Sequence, residues 1–279
     1  MIKIGLFDGS FTAPSISVGG DAADLRPASI EYVRGKHLQT TVYTDMHISS
    51  VKEAPVWENS VALLVEPPSI STTHYKLVER YAHRFDHIFT FWDNWGQGSR
   101  VFEKTKFYPL GGTWIDPIHW RVVDDKPRMC SFIISEKEIA PGHLLRREFF
   151  PFARAMGVDC WGRGVQPMVS KLAALEPYRF SVVIESVRAR SYFSEKLIDC
   201  FALGVMPIYW GCPGIDRFFN PWGMIVCSSL EEIIEAVKEV SLKLYQQRLP
   251  AIRENMETAR QYMIAEDWIF ENYPGVLYE

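Results

Sequence analysis

The sequence has little that would carry it into a membrane or a secretory lumen. It opens Met-Ile-Lys-Ile-Gly-Leu-Phe-Asp and passes straight into a strand-like pattern, without the charged segment and apolar run of a secretory leader. No apolar stretch nears the ~20 residues of a spanning helix, so no transmembrane segment is expected. None of the five asparagines begins an Asn-x-Ser/Thr acceptor site. The five cysteines, Cys130, Cys160, Cys200, Cys212 and Cys227, are odd in number and show no Cys-x-x-Cys spacing. That speaks against a disulfide framework or structural zinc, and for buried free thiols in a reducing compartment, the cytoplasm. A basic excess is also missing: 30 Lys plus Arg against 34 Asp plus Glu leaves a formal charge of −4. Proteins that coat nucleic acid need the opposite balance or a strong basic patch, so no nucleic-acid partner is expected. Internal repeats and low-complexity tracts are absent as well.

The 279 residues suit one large or two modest domains. Aromatic residues are plentiful, 14% with nine Trp, which points to large cores or to flat faces that stack on sugars and bases. Apolar runs that read as buried strands recur at Ile2–Phe7, Thr40–Thr44, Val61–Val65, His87–Phe91, Met129–Ile134, Phe180–Ile184 and Val205–Trp210. Several are nearly continuous rather than alternating, the pattern of a sheet covered on both faces. Helical patterns lie between them: Thr73–His83, Leu145–Met156 (kinked or restarted at Pro151), Ser194–Leu203 and Leu230–Gln247. Alternation of this kind predicts an α/β architecture with mostly parallel sheets. A polar, proline-ended segment at Arg121–Pro127 marks a boundary between domains 1–122 and 123–279, with the last helix free to pack back on the first. Pro109–Trp114, Pro-Leu-Gly-Gly-Thr-Trp, reads as a loop facing a cleft between the halves.

The stretch from Tyr178 to Gly211 parses as strand, polar loop, capped helix, strand. Ligands of open α/β sheets sit at the carboxyl ends of the strands, where the loop Glu185–Phe193 falls. Ser194 can cap the next helix, whose first turn holds Glu195 and Lys196. A helix N-terminus is a seat for a diphosphate. Lys196 is poorly placed for the dipole there, a mismatch that a bound anion would remove; the alternative is an ordinary solvated first turn. Arg188 and Arg190 add positive charge to the same loop.

The pattern Phe180-x-x-x-x-Glu185, Tyr192-x-Ser194-Glu195-Lys196-Leu197-x-Asp199 and Gly204-x-x-Pro207-Ile208-Tyr209-Trp210-Gly211 resembles the α-1,3-fucosyltransferases, glycosyltransferase family 10. The likeness is strongest over residues 128–222, with Ser194 standing for the usual Thr. It implies a GT-B fold, two Rossmann-like domains facing a central cleft, with an N-terminal acceptor-binding domain and a C-terminal domain that binds a nucleotide sugar, most commonly GDP-fucose. It implies a donor site lined by Tyr192, Glu195 on ribose or sugar hydroxyls, and Lys196 on phosphate, with Glu185 and Ser194 framing it. Leu145-Arg146-Arg147-Glu148-Phe149-Phe150 resembles the family's Arg-x-x-Phe-Phe helix start, which makes Arg146 the diphosphate ligand and Arg147 a surface charge. Ser135 sits where a small polar residue could approach the nucleotide, or simply cap a turn. The family's Asn after Glu185 is Ser186 here, so the donor sugar or base recognition can differ.

The implied reaction is inverting transfer of fucose to a hydroxyl of an oligosaccharide or glycan acceptor. The nucleotide sugar is a substrate, and no cofactor is expected. The resemblance implies that no metal is needed, with Arg146, Lys196 and the helix start stabilising the leaving diphosphate, and the lack of an Asp-x-Asp motif agrees. Glu66, after the strand Val61–Val65 and before Pro67-Pro68, is the candidate general base. Its alternative role is a cap for Ser69 or Thr72. Asp8 and Asp93 are second choices, followed by His74 and His143. Trp92, Trp95 and Trp114 stack on an acceptor sugar or belong to the core. Two other readings stay open: a different GDP- or UDP-sugar donor, and a non-catalytic nucleotide- or carbohydrate-binding module.

Overall fold

The near-continuous runs of Ile, Val, Thr and aromatic residues become parallel strands, as burial on both faces demands. The computed structural model describes every residue except Ser10, Asp93, Asn94, Gly96, Gln97, Tyr278 and Glu279. The chain forms two units. The first comprises Met1–Val18, Asp24–Leu110 and Ile264–Glu279; the second comprises Gly19–Ala23 and Gly111–Met263. The polar segment 122–127 lies inside the second unit, where Lys126 is buried and its Nζ donates to the Glu176 carbonyl at 2.6 Å.

In the first unit, β1 (Ile2–Phe7), β2 (Ile30–Arg34), β3 (Thr40–Thr44), β4 (Asn59–Leu63), β5 (His87–Thr90) and β6 (Thr105–Phe107) form one sheet in the order β2-β1-β3-β4-β5-β6. Every pairing is parallel; Val42 lies opposite Val61, and Ala62 opposite Ile88. Helix α1 (Thr72–Tyr81) sets Tyr75 and Val78 on one face. They pack with Tyr43, Ala62, Leu64, Phe85 and Ile88, and a wholly buried Val78 contributes on the order of 1.5–3 kcal/mol. Helix α2 (Arg100–Lys104) is one short turn capped by Ser99. The last helix, Ala265–Asn272, is held by its buried Glu266, which accepts from Ser15 Oγ (2.5 Å) and Ile16 N (2.8 Å).

The second unit carries β7 (Arg128–Ile133), β8 (Asp159–Trp161), β9 (Tyr178–Ile184), β10 (Met206–Trp210) and β11 (Ile225–Val226), again all parallel, in the order β11-β10-β9-β7-β8. Its helices are α3 (Pro141–Ala155), α4 (Leu172–Leu175), α5 (Glu195–Ala202), α6 (Leu230–Glu239) and α7 (Leu242–Ala259). Phe132, Phe149, Phe180, Ile208, Ile233 and Tyr245 share its core. Two helix expectations change. α3 begins at Pro141, four residues before Leu145, because Pro fits the first turn of a helix, and it runs through Pro151 without interruption. The single helix expected over Leu230–Gln247 is two, because Val240 is extended and Ser241 Oγ caps a new helix by accepting from Leu244 N at 3.2 Å. No helix among the described residues is long and apolar enough to cross a membrane. All five cysteines are buried free thiols.

Candidate functional site

β9 is buried along its whole length and ends at Ile184, delivering Glu185 to the carboxyl edge of the second sheet. The Glu185 side chain is fully buried; its two oxygens accept from Ser194 N (2.9 Å) and Ser194 Oγ (2.7 Å), closing the loop 186–193. Two glycines make room for it. A Cβ on Gly142 would lie 1.7 Å from the Glu185 carbonyl oxygen, and one on Gly211 would lie 2.6 Å from Glu185 Cγ. Gly142 N also donates to the Ser186 carbonyl at 2.9 Å, so the first turn of α3 docks on the Glu185–Ser186 backbone.

Ser194 is extended and N-caps α5. In the first turn, Lys196 Nζ stands 3.0 Å from Ser194 Oγ, 3.1 Å from Glu195 Oε1 and 3.7 Å from Glu185 Oε2. Glu195 and Lys196 are partly buried and pair with each other. Burial pushes the Glu195 carboxyl up, but Lys196 and Lys171 together outweigh it and hold the group at about 2. Arg146, buried on α3, directs Nε (2.9 Å) and Nη2 to the Ile184 carbonyl at the end of β9. Burial draws its pKa below the usual arginine value, opposed by Glu185, Tyr192 and Glu195. Glu185, Ser194, Glu195, Lys196 and Arg146 are therefore one constellation, built from a strand end and two helix starts.

The other expected donor residues fall around it. Tyr192 is buried, and its carbonyl accepts from Tyr209 Oη at 3.4 Å. Ser186 is buried with its carbonyl engaged by α3. Ser135, two residues past β7, is half-buried and shares no hydrogen bond with Glu185, Ser194 or Lys196. Arg188 and Arg190 are exposed, and the Arg190 carbonyl accepts from Arg217 Nη2 at 2.7 Å. Arg147 is exposed and pairs with Glu138. His143 is buried; its Nδ1 accepts from Ala140 N at 3.2 Å, and burial, then Arg146, Lys137 and Lys196, hold it down to about 4. In this unit two roles escaped sequence reasoning, that of Lys171 and that of Asp199, which stands in the motif without an assigned role. Lys171 pairs with Asp199 (2.7 Å) and Glu195 (3.5 Å), and Asp199 Oδ1 accepts from Thr113 Oγ1 and Trp114 N. Asp199 carries the signal of its spacing, four residues after Glu195 on α5, whereas nothing near Lys171 marks it.

In the first unit, Glu66 lies three residues past β4, half-buried, and its carbonyl accepts from Tyr75 Oη at 3.1 Å. Asp8, after β1, accepts from Thr44 Oγ1, Phe11 N and Arg34, as a loop anchor does. Asp45, which the sequence reading missed, is buried after β3 at φ +38°, with Oδ1 accepting from Val65 N (3.3 Å) and 3.6 Å from His74 Nδ1. The carboxyl ends of β1, β3 and β4 thus gather Asp8, Asp45 and Glu66. Burial raises the Tyr75 pKa, with Asp45 and Glu66 adding to the effect. Trp92 and Trp95 pack on the Tyr75 ring at 6.4 and 5.6 Å, placing them on the core edge. Trp114 is partly exposed in the second unit, under Lys171. Asp93 lies outside the described residues.

No protein-family model matches the chain. Over 63 residues, 23% of the chain, it is 32% identical to the α-(1,3)-fucosyltransferase FucT of Helicobacter pylori, a match spanning 13% of that protein. An α1,3-fucosyltransferase solved with GDP superposes over all of the chain and 92% of its own length, at TM-score 0.55 and 15% identity. The same enzyme type solved with GDP-fucose gives 0.54 at 13% identity over 100% and 90%. An α-glucosyltransferase solved with UDP and a 13-mer DNA gives 0.58 at 10% identity over 99% and 98%. The fold is GT-B, and a 63-residue stretch of the chain is similar to an α-(1,3)-fucosyltransferase. The fucosyltransferase-like motif and the buried constellation coincide: Glu185, Ser194, Glu195 and Lys196 are the residues that the geometry ties together.

Proposed function

We propose that this chain is an inverting glycosyltransferase that moves fucose from GDP-fucose to a hydroxyl of a glycan acceptor, working without a metal in the cytoplasm. The observation that carries the reading is the helix start itself: Lys196 and Arg146 beside the N-terminus of α5, at the carboxyl edge of a parallel sheet. In the reaction the acceptor oxygen forms a bond to the anomeric carbon as the bond from that carbon to the diphosphate oxygen breaks. Lys196, Arg146 and the N–H groups of α5 take up the charge that develops on the leaving diphosphate. Glu195, kept anionic at about 2, accepts from hydroxyls of the ribose or sugar. Glu66 removes the acceptor proton.

A second reading, another nucleotide-sugar donor, is favoured by one feature, Ser186 in place of the family's Asn. A thermal-shift panel of GDP-, UDP- and CMP-sugars separates the two, since a ligand bound only by the folded state raises the melting temperature. GDP-fucose should give the largest shift. A larger shift with a UDP-sugar would replace the first reading by the second, and no shift with any member would refute both. Turnover should be unchanged in EDTA; a strict Mn²⁺ requirement would contradict the metal-free mechanism.

A further inference from the structure

Lys171 is nearly buried, with a side chain 10% exposed. Its Nζ donates to Asp199 Oδ2 at 2.7 Å, lies 3.5 Å from Glu195 Oε1, and sits 4.5 Å from the centroid of the Trp114 ring. Asp199 is fixed independently, since Oδ1 accepts from Thr113 Oγ1 at 2.9 Å and Trp114 N at 2.8 Å. That segment is itself anchored ahead of α5, where Gly111 N donates to the Phe193 carbonyl at 3.2 Å. Glu195 and Asp199 are four residues apart on one helix, so their carboxylates share a face and repel unless a cation stands between them. Lys171 is that cation.

Resting on the donor site assigned above, we propose that Lys171 is a positioning residue, tying the Glu195 carboxylate to the anchored Asp199 in the orientation that receives the nucleotide's ribose hydroxyls. The need follows from Lys196. It now pairs with Glu195, yet the proposed reaction draws it to phosphate. Once Lys196 turns away, Lys171 is the cation that still contacts Glu195. The groups facing Glu195 are Lys196, Lys171, the Ser194 hydroxyl and Asp199, with Arg146 acting at longer range.

Two readouts test this on the whole chain. The first needs no ligand: a ¹³C NMR titration of the Glu195 carboxyl, assigned by its loss in Glu195→Gln. In the wild type the signal should stay ionised to about pH 3. In Lys171→Met/Asp199→Asn, which removes the cation together with its buried partner, the midpoint should rise by at least one pH unit, and Lys171→Arg should restore most of the wild-type behaviour. The single variant Lys171→Gln gives the same readout if the pair does not fold. The second is GDP binding by calorimetry: about tenfold weaker in the double variant, ~1.4 kcal/mol, with no further loss when Glu195→Gln is added. An unmoved midpoint, or fully additive losses, would overturn the proposal. A shifted midpoint in a protein that never binds GDP would uphold the clamp and refute the donor-site reading.

Discussion

Replacing Gly142 by alanine is a direct probe of how the site is built. The new Cβ would lie 1.7 Å from the Glu185 carbonyl oxygen, 2.9 Å from its carbonyl carbon and 3.0 Å from the Ser186 carbonyl oxygen. Carbon and oxygen in close contact settle at roughly 3.3 Å, so α3 and the Glu185 backbone must part by about 1.5 Å. Every atom in the clash is backbone, and no side-chain rotation relieves it. The separation breaks the 2.9 Å hydrogen bond from Gly142 N to the Ser186 carbonyl, a loss of about 1 kcal/mol. Overpacking adds about 1–3 kcal/mol. Together these predict a loss of ~2–4 kcal/mol in urea unfolding. Leu144→Ala, at an exposed position on the same helix, is the control and should cost about 0.5 kcal/mol or less. Because Arg146 sits one turn further along α3, GDP affinity should also fall at least about tenfold. A Gly142→Ala protein with the control's unfolding midpoint and unchanged GDP affinity would refute this account of the helix–loop contact.

Arg146→Ala and Lys196→Ala should each weaken GDP binding by about 10- to 100-fold, the scale of a hydrogen bond to a charged group; unchanged affinity by calorimetry would sink the donor-site assignment. Glu66→Gln should leave GDP affinity within about twofold while lowering kcat by about 10²–10⁴-fold, and full turnover would move the base to another residue. His143 is held at about 4 by burial and its cationic neighbours, below the ~6.5 of an unfolded chain. Between those values the unfolded state binds the extra proton, so stability falls as pH falls from 6.5 towards 4, by up to about 3 kcal/mol. His143→Gln, whose amide oxygen can still accept from Ala140, should flatten that slope in pH-dependent unfolding; an identical slope would show that another group sets it.

The legible part of this chain was its local part. β9, the capped α5 and β10 were readable because an apolar run, a Ser cap and Gly204 punctuate them within one short stretch. The edge strands β8 and β11, three and two residues long, have too few residues to show any period. The break between α6 and α7 was hidden because apolar spacing continues through Val240 while only a serine marks the new start. Asp45 was invisible for another reason: a left-handed backbone at a non-glycine residue is imposed by the sheet edge around it, not by local preference. Lys171 and Asp199 meet across 28 positions, and Glu185 and Ser194 across nine. The shorter pairing was framed by a motif; the longer one had none.

The charge at the site has partners that the sequence pattern does not display. Lys196 at a helix N-terminus opposes the dipole there, a mismatch that anions offset. The protein supplies the anions itself: Glu195 in the same turn and Glu185 from β9 both face the ammonium. Around the α5 start the carboxylates of Glu185, Glu195 and Asp199 stand against Lys171, Lys196 and Arg146, so three negative charges meet three positive ones. On the proposed function, a diphosphate at this helix start gains little from net charge. On the proposed donor site its binding comes from exchange: Lys196 trades a carboxylate for a phosphate oxygen, Arg146 and the α5 N–H groups add their share, and Glu195 and Asp199 keep Lys171 as their partner. Burial raises the cost of leaving any of these charges unmatched, which is why three cations, and not Lys196 alone, are packed around one short helix start.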